Sequence, residues 1–306
     1  MTAARARLRR SVLAAPGSSE KMIRHAAASA ADEVFLDLED ACAPREKARS
    51  RARIVEALNG LDFGRKVRAV RINDLRSPLA YRDLLEVVEG AGRNLDCVMV
   101  PKCRSAEEVR FVDRLLGMIE AAMGFDRPIG IEAQVEDAAG LGEARAIAAA
   151  SPRVEALVWG PGDYAASVGI QMLSIGAHQR GYPGHFWHHP MSEVNAAAKA
   201  AGALALDGPY AILKDDKGFE ESARQAVLMG FDGKWAIHPS QIEPLNRIFT
   251  PSLEEVARAL EIAEKYQAAV EQGQGAIALH DEMVDLATLR MAERVLEKAR
   301  LAGVIP

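Results

Sequence analysis

The stretch IGIEAQVE, residues 129–136, alternates apolar with polar side chains and leads into a helix-like segment. In a parallel barrel, alternate side chains of each strand point inward and outward. We therefore expect the apolar residues to face the surrounding helices and the polar ones, Glu132, Gln134 and Glu136, to point inward. At about 3.3 Å per residue, Glu132 lies roughly 13 Å deeper than Glu136. Depth favours Glu136 as the reactive carboxylate at the rim, and pairing of either glutamate with a buried arginine is the structural alternative.

Short strand-like segments of this kind recur along the chain, separated by alanine-rich or charge-rich stretches long enough for crossover helices. Strands are predicted at residues 11–15, 34–39, 66–73, 96–102, 129–136, 155–160, 203–207 and 234–237. Eight such units predict the α/β class and a closed (β/α)8 TIM barrel. We expect a catalytic barrel domain over residues 1–250. We expect residues 251–306 to form a C-terminal helical extension that contacts a neighbouring subunit.

Composition limits the classes of protein that remain. The chain has 306 residues, of which 49% are hydrophobic and 26% charged, enough to bury a large core. A formal net charge of −5 argues against general affinity for nucleic acid. Cys42, Cys97 and Cys103 lack zinc-type spacing and fit a reducing compartment. The apolar segment after the basic N-terminus is too short for a signal or membrane span, so we expect a cytoplasmic protein without membrane or nucleic-acid partners.

Asp163 follows the sixth predicted strand in GPGD, residues 160–163, where Gly160 and Gly162 let the backbone approach a ligand. The alternative is that Asp163 is the N-cap of a helix starting at Tyr164. Glu136 and Asp163 end adjacent strands. Two carboxylates completed by water and substrate oxygens are typical of Mg²⁺, so the pair predicts a magnesium site at the rim of the barrel.

Arg71 lies near the end of the third predicted strand and is expected to point into the barrel. A buried arginine needs carboxylates or an anionic ligand. The run DLED supplies Asp37, Glu39 and Asp40 as neighbours that could support the site. A Glu39–Arg71 salt bridge is the structural alternative, although such a pair would also fix the guanidinium for work on a developing oxyanion.

Histidines and a glycine- and proline-rich segment mark further candidate regions. The residues WHH, 187–189, are not expected to bind metal, because adjacent side chains point apart, and a loop lining the substrate entrance is favoured instead. His238, ahead of Pro239, either contacts a phosphate or orients its loop. The glycine- and proline-rich segment 169–190 is expected to be a loop on the catalytic face that acts as a lid.

Nine motifs in order resemble the citrate lyase β-subunit-like (HpcH/HpaI aldolase) family, and within it the malyl-CoA and β-methylmalyl-CoA lyases. They cover nearly the whole chain: PGS (16–18), LDLEDACAP (36–44), VRIN (70–73), VPK (100–102), VEDAAG (135–140), GPGDYAASVG (160–169), LDGPY (206–210), GKWAIHPSQI (233–242) and MVDLATLRMAE (283–293). The resemblance implies a carbon–carbon lyase or synthase, dependent on Mg²⁺ or Mn²⁺, that converts a malyl-CoA-type thioester into an acyl-CoA and glyoxylate or a similar 2-oxo acid.

The resemblance also implies roles for individual residues. Arg71 would bind and polarise the substrate, with Glu136 and Asp163 as metal ligands and Gly162 beside them against the substrate. Asp285 would be the acid–base group, supplied by a neighbouring subunit of a homo-oligomer, a trimer or hexamer in this family. The coenzyme A contacts implied near the PGS loop and the eighth strand are Lys21, Arg24, His238 and Pro239.

Other functions stay open at this level. The same enolate chemistry serves a malyl-CoA thioesterase, a malate-synthase-like enzyme or a citramalyl-CoA lyase. A citrate lyase β-subunit would work on an acyl-carrier partner, and a coenzyme A-binding or regulatory subunit would be inactive. The joint presence of the four proposed catalytic and metal-binding residues favours an enzyme. The sequence does not indicate the preferred acyl group, because one methylene changes the free energy of binding in a pocket by only about 1–3 kcal/mol.

Overall fold

The computed structural model describes residues 7–171, 173–175 and 186–306. The chain divides into two compact units, one formed chiefly by residues 9–246 and the other chiefly by residues 247–306. Within the described residues, no helix is both long and apolar enough to cross a membrane.

The first unit is a closed barrel of parallel strands, each paired with the next along the chain and the last paired with the first. The strands are β1 (Ser11–Pro16), β2 (Glu33–Asp37), β3 (Val67–Arg71), β4 (Cys97–Val100), β5 (Gly130–Val135), β6 (Val154–Trp159), β7 (Leu204–Asp207) and β8 (Gly233–Ala236). Every predicted strand overlaps one of these, so the predicted TIM barrel is confirmed.

Helices surround the strands. They are α1 (Glu20–Ala27), α2 (Lys47–Gly60), α3 (Ala80–Ala91), α4 (Ala106–Met123), α5 (Ala138–Gly142), α6 (Ala144–Ala148), α7 (Pro161–Ser167), α8 (His188–Ala200), α9 (Asp216–Leu228) and α10 (Ile242–Ile248). Short 3₁₀ turns lie at Pro44–Glu46, Gly92–Asn94 and Pro239–Gln241. Local sequence explains several boundaries: the Ser105 hydroxyl accepts from the Glu108 amide to begin α4, and Gly124, at φ +62°, ends it.

On the N-terminal side of the barrel, the same contact between an aspartate and a backbone N–H recurs at three strands. Three aspartates directly precede β2, β4 and β8: Asp32, Asp96 and Asp232. Each accepts a backbone N–H from a residue in or next to the preceding strand, from Arg10, Arg68 and Ala205 respectively. Each aspartate also pairs with a basic side chain, such as Arg10 with Asp32 and Arg68 with Asp96. These contacts hold neighbouring strands in register on the face of the barrel associated with stability.

A buried charged cluster fills the lower barrel, and we call Arg9, Glu33, Glu132 and Glu155 the floor cluster. The Arg9 Nε atom lies 2.7 Å from Glu33 Oε2 and 3.2 Å from Glu132 Oε1, and its Nη2 lies 2.6 Å from Glu155 Oε2. Glu132 therefore points inward, as the alternation predicts, and pairs with a buried arginine. Its role is structural.

Apolar side chains pack between the floor cluster and the rim. The packed residues are Val12, Phe35, Val67, Ala69, Cys97, Met99, Ala156, Val158, Leu206 and Trp235. The Phe35 and Trp235 rings lie 4.5 Å apart. The core thus ends, toward the rim, in a pair of aromatic rings.

The second unit contains α11 (Leu253–Glu271), β9 (Ile277–Leu279), β10 (Glu282–Val284) and α12 (Leu286–Leu301). Its helices enclose a core of their own, including Val256, Ile262, Tyr266 and Leu296. The extension is chiefly helical, as expected, and β9 and β10 add an antiparallel hairpin that the sequence analysis did not predict. That this unit contacts a neighbouring subunit stays a prediction.

Candidate active site

Arg71 is the last residue of β3, and its guanidinium is held against the end of β2. Arg71 Nε donates to Asp37 Oδ1 at 2.8 Å and Nη2 to Asp37 Oδ2 at 2.7 Å. Its third nitrogen, Nη1, lies 3.3 Å from Glu39 Oε2. The expected Glu39 salt bridge therefore exists, but Asp37 is the bidentate partner. Such a fork fixes both the position and the plane of the guanidinium.

The charges of this pair follow from its surroundings. Burial alone would raise the pKa of Asp37, but the Arg71 guanidinium and the amides of Glu39 and Ala41 hold it below its ordinary value. Burial raises the pKa of Glu39, and Arg71 and Lys102 oppose that rise. Asp37 is thus an ionised anchor for Arg71, while Asp40 lies at the exposed edge of the group.

Aromatic rings support Arg71 from within the barrel. The guanidinium carbon lies 5.3 Å from the Trp235 ring centre and 5.6 Å from that of Phe35. Both rings are buried. Contact with ring faces attracts a cation and keeps water away from that side of it, so the aromatic pair leaves the guanidinium fewer directions in which to move.

Glu136 follows β5 directly and is held at both carboxylate oxygens. Oε1 accepts the Lys102 backbone N–H at 2.7 Å, and Oε2 accepts from Gln134 Nε2 at 2.6 Å. The residue is only 2% exposed. Burial, and then the charge of the nearby Asp163 carboxylate, raises the pKa of Glu136 to about 8.

Gly160 explains how Glu136 fits at this position. A Cβ added at Gly160 would lie 2.3 Å from Glu136 Cβ and 2.6 Å from Glu136 Oε2. The close approach that glycine permits here is therefore to the protein's own carboxylate.

Asp163 lies inside the first turn of α7, so its interpretation as a helix N-cap was wrong. The N-cap is Gly160, and Pro161 occupies the first turn, where its missing N–H costs nothing. The Asp163 side chain is 47% exposed. Next to it, Gly162 lies against the Ile175 side chain. The first turn of α7 therefore positions Asp163 at the rim of the barrel, although Asp163 does not cap the helix.

Lys102 is a residue of the site that sequence reasoning missed. It follows β4 in VPK with a left-handed backbone, φ +49°, and its ammonium forms an ion pair with Glu39 Oε1. The ammonium also lies 3.4 Å from Asp40 Oδ1 and 4.0 Å from Asp163 Oδ1. Its position directly after a barrel strand was the available signal.

The donor set suits a hard, hydrated divalent cation. Glu136 and Asp163 lie close enough for one carboxylate to raise the pKa of the other, and that repulsion is what a cation relieves. No group of three or more histidine, cysteine, aspartate or glutamate side chains converges on a metal position in the described part of the chain. Mg²⁺ is commonly held by one or two carboxylates, with water and substrate completing its shell, so the residues fit magnesium.

The candidate coenzyme A residues lie on two segments. Lys21 and Arg24 are exposed on α1, where Arg24 Nη2 lies 2.8 Å from Glu20 Oε1 in a pair that solvent weakens. His238 is the N-cap of the turn that begins at Pro239, and its Nδ1 lies 2.8 Å from Ser240 Oγ. The structure therefore gives His238 an orienting role in its loop, and coenzyme A contact by the four residues stays a prediction.

Asp285 belongs to the second unit, where it is the N-cap of α12. Its Oδ1 accepts from the amides of Ala287 and Thr288 at 2.9 and 3.1 Å. The Thr288 amide, with further hydrogen bonds, lowers the pKa of Asp285. These hydrogen bonds keep the carboxylate ionised and, by the same cause, make it a weaker base. Its supply to a neighbouring subunit stays a prediction.

Half of the segment 169–190, expected to be a lid, lies at residues 172 and 176–185, outside the described residues. His188 and His189 are not loop residues, because they begin α8. Trp187 packs its buried ring 5.8 Å from Trp159 and 6.2 Å from Tyr164. These aromatic contacts join the start of α8 to β6 and α7, the helix that bears Asp163.

Comparisons with known proteins show which family the chain resembles. The sequence model of the HpcH/HpaI aldolase/citrate lyase family matches residues 10–239, and that of a C–C bond lyase of the TIM-barrel fold matches residues 190–304. The L-malyl-CoA/β-methylmalyl-CoA lyase of Cereibacter sphaeroides is 42% identical, with 97% of this chain and 96% of that protein covered. The lyase of the same name from Rhodobacter capsulatus is 40% identical, with coverage of 98% and 97%.

A solved structure shows the same fold. The protein CitE of Mycobacterium tuberculosis, in complex with magnesium, acetoacetate and coenzyme A, is 33% identical and superposes with a TM-score of 0.76. The match covers 96% of this chain and 99% of that one.

Proposed function

Because the chain belongs to the HpcH/HpaI aldolase/citrate lyase family, we propose that it is a Mg²⁺-dependent lyase that reversibly cleaves malyl-CoA or β-methylmalyl-CoA. The products are glyoxylate and acetyl-CoA or propionyl-CoA. The observation that carries the proposal is the pairing of a fixed guanidinium, Arg71, with the buried Glu136 and the rim carboxylate Asp163 at one end of the barrel. The names of the 40–42% identical relatives support the substrate class.

Glu136 and Asp163 would hold the ion, which supplies Lewis-acid polarisation of the hydroxyl and carboxylate of the 2-hydroxy acid end. Gln134 and the Lys102 amide hold Glu136 in place from two sides. Gly162, next to Asp163, lies against the Ile175 side chain, and we propose that its lack of a side chain leaves room for the substrate. These residues bind and orient. The substrate hydroxyl, made more acidic beside the ion, would lose its proton to solvent water as the carbon–carbon bond breaks.

Arg71 acts on the other fragment. When the carbon–carbon bond breaks, negative charge develops on the thioester oxygen of the enolate. A cation fixed by Asp37 and by two aromatic rings pays no reorganisation cost as that charge appears. Asp285 would then protonate the enolate carbon in cleavage, and would remove the same proton in synthesis.

Two further parts of the proposal concern the assembly and the cellular location. An acid–base residue on the second unit is supported by the position of Asp285 at the start of α12, and we propose that a neighbouring copy in a homo-oligomer, a trimer or hexamer, supplies it. We propose a cytoplasmic location, which the three buried free thiols support.

Steady-state assays with malyl-CoA test the reaction when glyoxylate and free thiol are measured separately. Glyoxylate should form together with acetyl-CoA in the wild type, and Glu136→Ala and Asp163→Ala should lower turnover by at least about 100-fold. Glu132→Gln, in the floor cluster, is the matched control for altering an inward-facing glutamate, with its melting temperature recorded alongside. Release of thiol without glyoxylate would identify a thioesterase and contradict the lyase proposal.

A further inference from the structure

Lys102 is surrounded by acidic side chains at the rim of the barrel. Its ammonium forms an ion pair with Glu39, and it lies 3.4 Å from Asp40 and 4.0 Å from Asp163. The side chain is 22% exposed, so the group lies at the boundary between protein and solvent. One lysine thus contacts three carboxylates that come from two different segments of the chain.

The backbone of Lys102 reaches a fourth carboxylate. Its N–H donates to Glu136 Oε1 at 2.7 Å. The left-handed conformation of the residue, φ +49°, is sparsely populated for residues other than glycine. Lys102 therefore touches both proposed metal ligands, Glu136 through its backbone and Asp163 through its side chain.

Acidic side chains outnumber basic ones among the described residues of the site. Its carboxylates are Asp37, Glu39, Asp40, Glu136 and Asp163, and within the described part of the chain the cations that contact them are Arg71 and Lys102. Arg71 is committed to Asp37 by two hydrogen bonds. The ammonium of Lys102, on a flexible four-carbon stem, is the cation that can shift among the remaining carboxylates.

We propose that Lys102 is a positioning residue whose ammonium competes with a divalent cation for Asp163 and the neighbouring carboxylates, and so limits how tightly the site binds the ion. The inference rests on the proposed function, because it takes Glu136 and Asp163 as the metal ligands. When the ion binds, Lys102 withdraws toward Glu39 and Asp40. There it keeps Glu39 beside Arg71, so metal binding and the arrangement of the guanidinium are coupled.

Isothermal titration with Mg²⁺, repeated with Mn²⁺, tests this on the full-length protein. Lys102→Met removes the charge but keeps most of the stem, and the backbone N–H to Glu136 remains. Loss of one positive charge a few ångströms from a divalent ion should tighten Mg²⁺ binding by about tenfold. Lys102→Arg keeps the charge and should bind Mg²⁺ within about threefold of the wild type. General damage to the site would weaken binding, which is the opposite direction.

Unchanged or weaker Mg²⁺ binding by folded Lys102→Met overturns the proposal, and so does tighter binding by Lys102→Arg. If Lys102→Met does not fold, as judged by circular dichroism, Lys102→Gln carries the same expectation, since it retains a donor for Glu39. The part of the Mg²⁺ titration heat that disappears in Glu136→Gln is the part that comes from binding at this site. Wild-type protein that shows no Mg²⁺ binding sensitive to Glu136→Gln would contradict the proposed function itself, whereas wild-type binding without a gain in Lys102→Met would contradict only the role of Lys102.

Discussion

Contacts between single side chains decide how two inward-facing glutamates are used. Glu132 lies in β5 and Glu136 directly after it, yet Glu132 pairs with Arg9, whereas Glu136 lies near another carboxylate, Asp163. Strand alternation and depth distinguish the positions of the two glutamates from the sequence alone, and the metal-binding role of Glu136 stays a prediction. The part played by Lys102 was not readable in this way, because its partner Glu39 is 63 positions away and only the closed barrel brings them together.

Gly160 gives a prediction at the same scale. Gly160→Ala would place a methyl group 2.3 Å from Glu136 Cβ, and overpacking of this kind costs about 1–3 kcal/mol. Because the methyl group displaces a proposed metal ligand, we expect turnover to fall by about 100-fold. Kinetic assay and thermal melting measure both effects. Gly142→Ala is the matched control, since an added Cβ there meets nothing within 4 Å; equal activity of the two variants would show that Glu136 tolerates displacement.

The regular elements were largely predictable, and the exceptions have physical causes. The barrel strands stand out because each is a short apolar run between long helical stretches. The β9–β10 hairpin does not, since its strands have three residues each and its turn is His280–Asp281. Both turn residues have positive φ, 50° and 63°, a conformation usually indicated by Asn-Gly or Asp-Gly. The alternative of Asp163 as an N-cap was wrong because Gly160 is already the N-cap and Pro161 begins α7.

The start of α12 allows the two roles of Asp285 to be separated. Asn is as good an N-cap as Asp, whereas Ala is poor. Asp285→Asn should therefore keep the wild-type melting temperature, and Asp285→Ala should lower it, because the Ala287 and Thr288 amides lose their acceptor. Both variants should lose turnover if the carboxylate transfers a proton. Full activity in Asp285→Asn would leave the residue with a capping role alone.

At the scale of the whole molecule, the barrel and the second unit each carry part of the proposed chemistry. If neighbouring copies share the site, a variant defective in the barrel and one defective in the second unit should complement each other. Glu136→Gln is a better barrel partner than Arg71→Ala, because loss of the buried guanidinium would leave Asp37 without its counter-ion.

Co-expressed Asp285→Asn and Glu136→Gln chains should therefore regain activity that neither has alone. With random assembly, about one quarter of the sites combine two intact halves. The measurement is turnover of the purified mixed oligomer against each variant by itself, with oligomer mass determined by light scattering. Mixed oligomers as inactive as their parents would argue that each chain completes its own site.

The floor cluster has a kinetic consequence for the barrel as a whole. Burial, with the charge of Glu132, raises the pKa of Glu33 well above its ordinary value, while both glutamates are fully enclosed. A proton can enter or leave such a place only when the strands around it part, and barrel strands open rarely. The rate at which these carboxyl groups exchange protons with solvent therefore reports how often the barrel opens at the end opposite the proposed active site.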